Sequence, residues 1–283
     1  MSDTSIVIIG AKGQLGLALL AQYPQAVSVD ADELDITDVH AVNNFDWTGI
    51  DVIINAAAYT NVDGAETPDG RKAAWAVNAA APANLTAVAT QYGCTLVHVS
   101  TDYVFDGTND NHTEEESFTP LSVYGASKAA GDIAVSLAPQ HYILRTSWVI
   151  GDGNNFVRTM MNLTNKDISP SVVSDQIGRL TFTSELVRAI DHLLQTNPTY
   201  GTYNVTNSGD SASWADITRT IHAFMGRDDL SVTDVSTEDY FRDKELYAPR
   251  PLLSALDLKK LSNSGFKGVD WKIDLKKYIS EAQ

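Results

Sequence analysis

A tyrosine and a lysine four residues apart, Tyr124 and Lys128, are the first candidates for chemistry in this chain of 283 residues. In a helix, this spacing puts both side chains on one face. A lysine ammonium near a phenol favours the phenolate, so Lys128 should lower the pKa of Tyr124 from about 10 towards neutrality. Tyr124 could then donate a proton to a carbonyl oxygen as hydride reaches the carbon, and Thr101 would hydrogen-bond the same oxygen. A tyrosine and a lysine four residues apart are common by chance, so the functional significance of this pair depends on the other motifs in the chain.

Three glycines with the spacing Gly10-x-x-Gly13-x-x-Gly16 directly follow an apolar run at residues 6–9. Glycine at these positions permits a tight turn, lets the backbone approach a pyrophosphate and allows the next helix to pack closely. The N-terminus of that helix offers free N–H groups to the phosphates. Asp30 lies 20 residues after Gly10, the distance expected of a carboxylate that binds an adenosine ribose. The pattern predicts a dinucleotide site rather than a purely structural glycine turn.

The residues around Asp30 indicate which nicotinamide dinucleotide is preferred. A carboxylate accepts hydrogen bonds from a ribose 2′-hydroxyl but repels a 2′-phosphate, and the segment near Asp30 contains no arginine. The sequence therefore favours NADH, with NADPH as the alternative cofactor. Asp35 and Ile36 are placed to bracket the adenine ring. Small side chains in residues 55–60 would let a flat cofactor lie close to a strand end, although tight packing alone also explains them.

Short apolar runs position these residues, and they alternate with helix-like stretches. The runs are residues 6–9, 26–29, 52–55, 95–99 and 142–145. Their alternation with helices predicts an α/β protein with a doubly wound parallel sheet, and continuous apolar runs indicate strands that are covered on both faces. Between the third and fourth runs, residues 73–92 are rich in alanine, and Pro82 there either opens a second helix or kinks the first.

After about Gly151 the pattern becomes less regular, which predicts a smaller α/β substrate-binding lobe over the carboxyl edge of the sheet. We assign residues 1–150 to an NAD(P)-binding domain, to which segments near 171–197 return, and residues 151–283 mainly to the substrate-binding lobe. Residues 184–195 have the apolar spacing of an amphipathic helix. The pattern Ser213-x-x-Asp216 predicts a capping box at the start of another helix, and short helical pieces are expected after residue 256.

Composition and charge exclude several classes of function. A net charge of −16 disfavours binding to nucleic acid or to an anionic membrane. No stretch approaches the roughly 20 apolar residues that cross a bilayer, and residues 1–5 lack the basic region of a signal peptide. A cytoplasmic protein is expected. A lone cysteine, Cys94, excludes an intrachain disulfide, and the histidines are not at metal-ligand spacing, so no metal is predicted.

With these motifs in place, the chain resembles the extended short-chain dehydrogenase/reductases, which have the Rossmann fold, and more narrowly the dTDP-4-dehydrorhamnose reductases. The motifs that carry the resemblance follow one another in the family's order along most of the chain. They are GAKGQLG at 10–16, NAAAYTNVD at 55–63, STDYVF at 100–105, VYGxxK at 123–128, RTSWV at 145–149, GNNF at 153–156, DQxG at 175–178 and RPxxS at 250–254.

The resemblance implies reduction of dTDP-4-dehydro-β-L-rhamnose to dTDP-L-rhamnose by hydride from NADH or NADPH. It also implies a role for each matching position. The catalytic residues would be Thr101, Tyr124 and Lys128, and the substrate-binding residues would be Thr101, Asp102, Trp148 and Arg250. The cofactor-binding residues would be Gly10, Gly13, Gln14, Leu15, Gly16, Asp30, Asp35, Ile36, Ala58, Tyr59, Thr60, Tyr124 and Lys128. For Trp148 the alternative is core packing, and for Arg250 it is a surface salt bridge.

Two departures from the family pattern bear on assembly and on the sugar site. Some relatives carry a glutamate shortly after the third glycine that helps to hold a metal at a dimer interface, whereas residues 17–19 contain no carboxylate, and Ala18 is at their centre. Glu185 keeps a later acidic position. A monomer without a bridging metal is therefore expected. Residues 179–181 lack the proline that relatives often have before Thr181, so we expect that loop to be shaped differently.

Other functions remain open at this point. An epimerase or dehydratase of the same fold would oxidise and regenerate its nicotinamide within one turnover. Dehydratases often have an Asp-Glu pair after the threonine, and here Tyr103 follows Asp102, which weakens that interpretation. A reductase of another keto-sugar and a non-catalytic subunit that kept the nucleotide pocket are the remaining alternatives.

Overall fold

A computed structural model describes residues 4–282 of the chain. Its strands are β1 (Ile6–Ile9), β2 (Val27–Val29), β3 (Val52–Asn55), β4 (Thr95–Thr101), β5 (His141–Thr146), β6 (Val149–Ile150), β7 (Ser171–Val173), β8 (Ile177–Gly178), β9 (Thr181–Phe182), β10 (Gly201–Asn204), β11 (Ala212–Ser213) and β12 (Thr233–Val235). Its α-helices are α1 (Gln14–Gln22), α2 (Val39–Asn44), α3 (Pro68–Trp75), α4 (Ala81–Tyr92), α5 (Val123–Val135), α6 (Phe156–Asn165), α7 (Thr183–Thr196), α8 (Trp214–Phe224), α9 (Thr237–Phe241), α10 (Lys259–Asn263) and α11 (Trp271–Ala282). Of the N-terminal segment interpreted above, residues 1–3 lie outside the described residues.

Within residues 4–282, six strands form a parallel sheet in the order β10-β5-β4-β3-β1-β2. The predicted doubly wound parallel sheet is confirmed, and its five expected strands are β1 to β5. The sixth strand, β10, escaped prediction because its sequence, Gly-Thr-Tyr-Asn, contains no apolar run. Its backbone pairs with β5, so the neighbouring strand rather than its own side chains determines its structure.

The sheet is covered on both faces, as the continuous apolar runs predicted. Ile8 and Ile54 belong to a core with Leu186 and Ile190 of α7. Their neighbours along the strands point to the other face, where a second core contains Leu85 and Val88 of α4; Val7, Ile9 and Ile53 belong to this second core. Successive strand residues alternate between faces, so every position of β1 and β3 is buried.

The alanine-rich stretch around Pro82 is helical without a break, so Pro82 neither starts a separate helix nor ends the first one. α3 and α4 are joined by a π-helical turn at Ala76–Ala80. Pro82 closely follows this turn, whose widened helical geometry accommodates a residue without an N–H inside a continuous helical stretch. Gly131 of α5 packs against this turn, and a Cβ there would lie 2.2 Å from the carbonyl oxygen of Asn78.

The second half of the chain contributes both to the sheet and to a smaller lobe. α7 packs on the sheet and β10 joins it. A separate core contains Met161, Ile217, Ile221 and Trp271, and the pairs β7 with β12, β8 with β11 and β6 with β9 lie outside the main sheet. The predicted helix at 184–195 and the capping box at Ser213 are confirmed. The domain division at residue 150 stays a prediction.

No helix within residues 4–282 combines the length and the apolar character that spanning a bilayer requires.

Candidate active site

A cleft of about 1030 Å³ lies at the carboxyl ends of the central strands. It is lined by the turn between β1 and α1, by the ends of β3 and β4, by the first turns of α5 and by residues 146–154. Of the predicted site residues it brings together Gly10, Gly13, Gln14, Leu15, Asp30, Asp35, Ile36, Ala58, Tyr59, Thr60, Thr101, Asp102, Tyr124, Lys128 and Trp148. Gly16 and Arg250 do not line it.

The glycine turn has the close backbone packing that was predicted for it. Gly10 has a φ of +80°, and a Cβ there would lie 2.7 Å from the backbone nitrogen of Ala57. At Gly16 a Cβ would lie 2.2 Å from the carbonyl oxygen of Gly10, so this glycine allows α1 to pack on the turn and stays beneath the cleft. Gly13 is the N-cap of α1 and offers no side chain to the first N–H groups. An uncapped helix N-terminus at a glycine turn fits a dinucleotide pyrophosphate.

Lys12 is a cleft residue that the sequence interpretation missed. Its backbone N–H donates to Asp30 Oδ2 at 2.9 Å, and its Nζ donates to Asp32 Oδ2 at 2.6 Å. Lys12 belongs to the glycine turn and lies 18 residues before Asp30 in the sequence. The sequence signal that could have identified this residue is a basic residue between the first two glycines of the motif. Lys12 and the carboxylate of Asp30 therefore lie together at one end of the cleft.

Tyr124 and Lys128 lie on α5 as the spacing predicted. The helix begins after Ser122, whose Oγ accepts a hydrogen bond from Gly125 N at 3.1 Å. Burial lowers the pKa of Lys128 to about 8, and Asp132 opposes that change. Burial raises the pKa of Tyr124 to about 12, although a hydrogen bond with Thr101 lowers it.

The lowered pKa that we predicted for Tyr124 is therefore wrong for the protein's own groups. Desolvation disfavours a buried phenolate, and the nearby carboxylates of Asp102 and Asp132 disfavour it further. This raised pKa favours the protonated phenol of Tyr124 over the phenolate.

Asp102 and Trp148 form another part of the cleft lining. Burial raises the pKa of Asp102 to about 6, while the hydroxyls of Ser254 and Thr101 oppose the change. Trp148 has a φ of +49°, rare for a bulky side chain and usually maintained only by surrounding packing. Its ring stacks on Trp214 with centroids 3.8 Å apart. Trp148 packs in the lobe as the alternative interpretation predicted and also lines the cleft, while its contact with a substrate stays a prediction.

Arg250 lies in an ion pair rather than in the cleft lining. Its guanidinium is 2.8 Å from Asp63 Oδ1 and donates to the carbonyl oxygen of Ala248 at 2.7 Å. The same guanidinium lies over the ring of Phe241. The salt bridge that was the alternative interpretation is present, with the Arg250 side chain only 16% exposed. A contact between Arg250 and a pyrophosphate stays a prediction.

The later acidic position, Glu185, is buried inside the fold. Its Oε1 accepts a hydrogen bond from Val269 N at 3.0 Å, and its carboxylate pairs with Arg188. Burial raises its pKa to about 7. In the part of the chain that the structure describes, no group of three acidic, histidine or cysteine side chains is placed to hold a metal. The monomeric state stays a prediction.

A buried ion pair joins α5 to β5 of the sheet. Arg145 Nε donates to Asp132 Oδ2 at 3.0 Å, and the two side chains are 4% and 1% exposed. The guanidinium also lies over the rings of Phe105 and Phe118. Asp132 is four residues after Lys128, so this pair fixes the helix that carries both candidate catalytic side chains.

Replacing one partner of this pair should destabilise the protein strongly. Arg145→Met leaves the Asp132 carboxylate buried without its counter-charge, and we expect a loss of about 3–5 kcal/mol in the free energy of unfolding. The double variant with Asp132→Asn should recover part of that loss, because no unpaired carboxylate remains, although the Lys128 ammonium loses the charge that favours it. Urea unfolding measures the free energy of unfolding of the single and the double variant. Lys72→Met in the exposed pair with Asp69 is the control, with an expected change below about 1 kcal/mol; equal losses in the single and double variants would contradict the explanation.

Comparison with known proteins shows similarity to dTDP-4-dehydrorhamnose reductases along the whole chain. Residues 4–283 match the family described as the RmlD substrate binding domain. The dTDP-4-dehydrorhamnose reductase of Mycolicibacterium smegmatis is 37% identical, over 94% of this chain and 82% of its own. A solved structure of a dTDP-4-dehydrorhamnose reductase from Clostridium acetobutylicum is 38% identical with a TM-score of 0.91, and 99% of each chain is covered. The dTDP-4-dehydrorhamnose reductase from Bacillus anthracis, solved in complex with NADP, is 35% identical with a TM-score of 0.89 and the same coverage.

Proposed function

Because the chain belongs to the family of the RmlD substrate binding domain, we propose that it reduces dTDP-4-dehydro-β-L-rhamnose to dTDP-L-rhamnose. It is an oxidoreductase that uses NAD(P)H. The observation that carries the proposal is that the glycine turn, Thr101, Tyr124 and Lys128 line one continuous cleft. A dinucleotide site and a proton donor in the same cleft are what reduction of a carbonyl requires.

The chain's own residues supply binding and acid catalysis in this proposal. The bound nicotinamide would supply the hydride. Tyr124 would donate its phenolic proton to the carbonyl oxygen, and its pKa of about 12 keeps that proton available at neutral pH. Thr101 would hydrogen-bond the same oxygen and polarise the carbonyl. The Lys128 ammonium would stabilise the phenolate that remains after proton transfer, because opposite charges attract strongly in a buried site.

The direct test is the stoichiometry of NADH oxidation. The protein is mixed with enzymatically generated dTDP-4-dehydrorhamnose and NADH, and loss of NADH absorbance is compared with formation of dTDP-L-rhamnose. One NADH oxidised for each product formed is expected. An epimerase or dehydratase would consume no net NADH, and a non-catalytic subunit would bind NADH tightly without consuming it. Turnover of a different nucleotide-linked keto-sugar would change the substrate but keep the reaction class.

Removal of the Tyr124 hydroxyl should abolish most turnover without disturbing the cofactor. We expect Tyr124→Phe to lower kcat by about 10²–10⁴-fold, because only the proton donor is lost, and to leave the Kd for NADH within about threefold. Steady-state kinetics and fluorescence titration measure the two effects. Tyr142→Phe is the matched control, since that buried hydroxyl donates to Pro198 outside the cleft. Near-normal turnover in Tyr124→Phe would exclude the proposed acid, whereas Lys128→Ala should impair both kcat and cofactor binding.

For the cofactor, we propose a preference for NADH with substantial use of NADPH. The Asp30 carboxylate disfavours a 2′-phosphate, while Lys12 Nζ is a cation at the same end of the cleft. The preference thus depends on two opposed charges rather than on Asp30 alone. The NADP complex of the Bacillus anthracis relative supports use of NADPH.

Removing the negative charge of Asp30 and removing the positive charge of Lys12 should shift the cofactor preference in opposite directions. Asp30→Ser should raise the ratio of kcat/KM for NADPH to that for NADH by about tenfold, which corresponds to roughly 1.4 kcal/mol. Lys12→Ala should lower the same ratio, because the attractive charge is removed. Asp46→Ser is the control, since it makes the same charge change at an exposed aspartate outside the cleft. An unchanged ratio in both Asp30→Ser and Lys12→Ala would disprove this account of specificity.

A further inference from the structure

Behind Lys128 lies a buried histidine that the proposed mechanism does not use. His98 of β4 is 0% exposed, and its Nε2 lies 3.5 Å from Lys128 Nζ. Its other ring nitrogen, Nδ1, lies 3.0 Å from Nδ2 of Asn55, the last residue of β3. Lys128 Nζ also donates to the carbonyl oxygen of Val99 at 2.6 Å. Asn55, His98 and Lys128 therefore form a continuous buried chain of hydrogen-bonding groups that ends at the cleft.

The orientation of the Asn55 amide fixes which nitrogen of His98 carries the proton. Asn55 Oδ1 accepts a hydrogen bond from the backbone N–H of Ala57 at 3.2 Å. The amide oxygen is thereby held towards Ala57, and the Nδ2 donor faces His98 Nδ1. A neutral imidazole has one donor and one acceptor nitrogen, so Nδ1 is the acceptor and Nε2 carries the hydrogen. The imidazole is neutral, since burial and the nearby Lys128 hold its pKa well below the usual value.

We propose that His98 is a positioning residue that limits protonation of Lys128 by directing its Nε2–H at the lysine nitrogen. This inference rests on the role proposed above for Lys128. A neutral amine can accept a hydrogen bond from Nε2–H, whereas an ammonium has no lone pair with which to accept it. The fixed tautomer therefore stabilises the amine form over the ammonium form. Asn55 acts through His98, and neither residue lines the cleft.

The other ionisable groups around Lys128 do not produce the same effect. Asp132, one turn further along α5, favours the ammonium, and its own charge is shared with Arg145 of β5. Tyr124 and Asp102 lie on the cleft side, where an ionised form of either would also favour the ammonium. Besides burial, His98 is the group that opposes protonation. Its removal should consequently raise the pKa of Lys128 above its value of about 8.

The first measurement determines the tautomer directly in the full-length protein without substrate. Long-range proton–nitrogen NMR spectra of the protein labelled with ¹⁵N-histidine distinguish the Nε2–H form from the Nδ1–H form. The His98 signal is identified by its loss in His98→Gln. We expect the Nε2–H tautomer in the unaltered protein and a shift towards Nδ1–H in Asn55→Leu, which removes the amide that fixes it. An Nδ1–H tautomer in the unaltered protein would overturn the proposal.

The second measurement follows the ionisation of Lys128 with and without His98. The ¹³Cε signal of Lys128, assigned by its loss in Lys128→Met, is titrated in the unaltered protein and in His98→Gln. The midpoint should rise by about one pH unit in the variant, because the Nε2–H is removed. His222→Gln is the matched control, since His222 is equally buried but lies on α8 outside the cleft; it should leave the midpoint unchanged.

The pH dependence of turnover then connects this ionisation to catalysis. If Lys128 must be an ammonium, the alkaline limb of the kcat profile should move upward by the same amount in His98→Gln and in Asn55→Leu. A kcat that falls equally at every pH, with an unchanged Lys128 midpoint, would show a purely structural role for His98 and overturn the proposal. Absence of turnover in the unaltered protein would instead refute the proposed function, while both NMR measurements would still decide the role of His98.

Discussion

Burial of the Lys128 ammonium determines much of the architecture at the carboxyl end of β4. The residue is 1% exposed, and an isolated charge at that depth would lose several kcal/mol of hydration. The fold compensates with the Val99 carbonyl on one side and with Asp132 one turn along the same helix. Asp132 in turn needs Arg145, which lies between two phenylalanine rings. A single buried cation thus links β4, α5 and β5, and it fixes the helix that presents Tyr124.

The opposite end of the cleft depends on backbone geometry rather than on charge burial. The Gly10 turn passes so close to the end of β3 that no side chain fits between them, and Gly16 brings α1 against the same turn. Backbone N–H groups can therefore reach a pyrophosphate in a chain whose net charge is −16. The side-chain charges at this end of the cleft are those of Asp30 and Lys12, on which the proposed preference between dinucleotides depends.

The sequence by itself determined the class of fold, and all of the expected site residues except Gly16 and Arg250 line the cleft. Five of the six sheet strands, the α7 helix and the capping box at Ser213 follow from local periodicity and end signals, which depend on neighbouring residues only. Glycine spacing identified the cofactor turn for the same reason. The strand β10 could not be predicted, because a four-residue segment without an apolar run becomes a strand only when β5 offers its edge.

The tertiary structure determined the pKa values of the buried groups and which distant side chains contact one another. The pKa of Tyr124 follows from its depth in the cleft, and spacing along a helix carries no measure of depth. Lys12 meets Asp32 and Arg250 meets Asp63 across 20 and 187 residues of sequence, so neither pairing is visible in a local pattern. The contact of His98 with Lys128 spans 30 residues and exists because β4 and α5 pack together. The residue types in the sequence established which chemistry was available, and the packing of distant segments established the ionisation state in which each group is held.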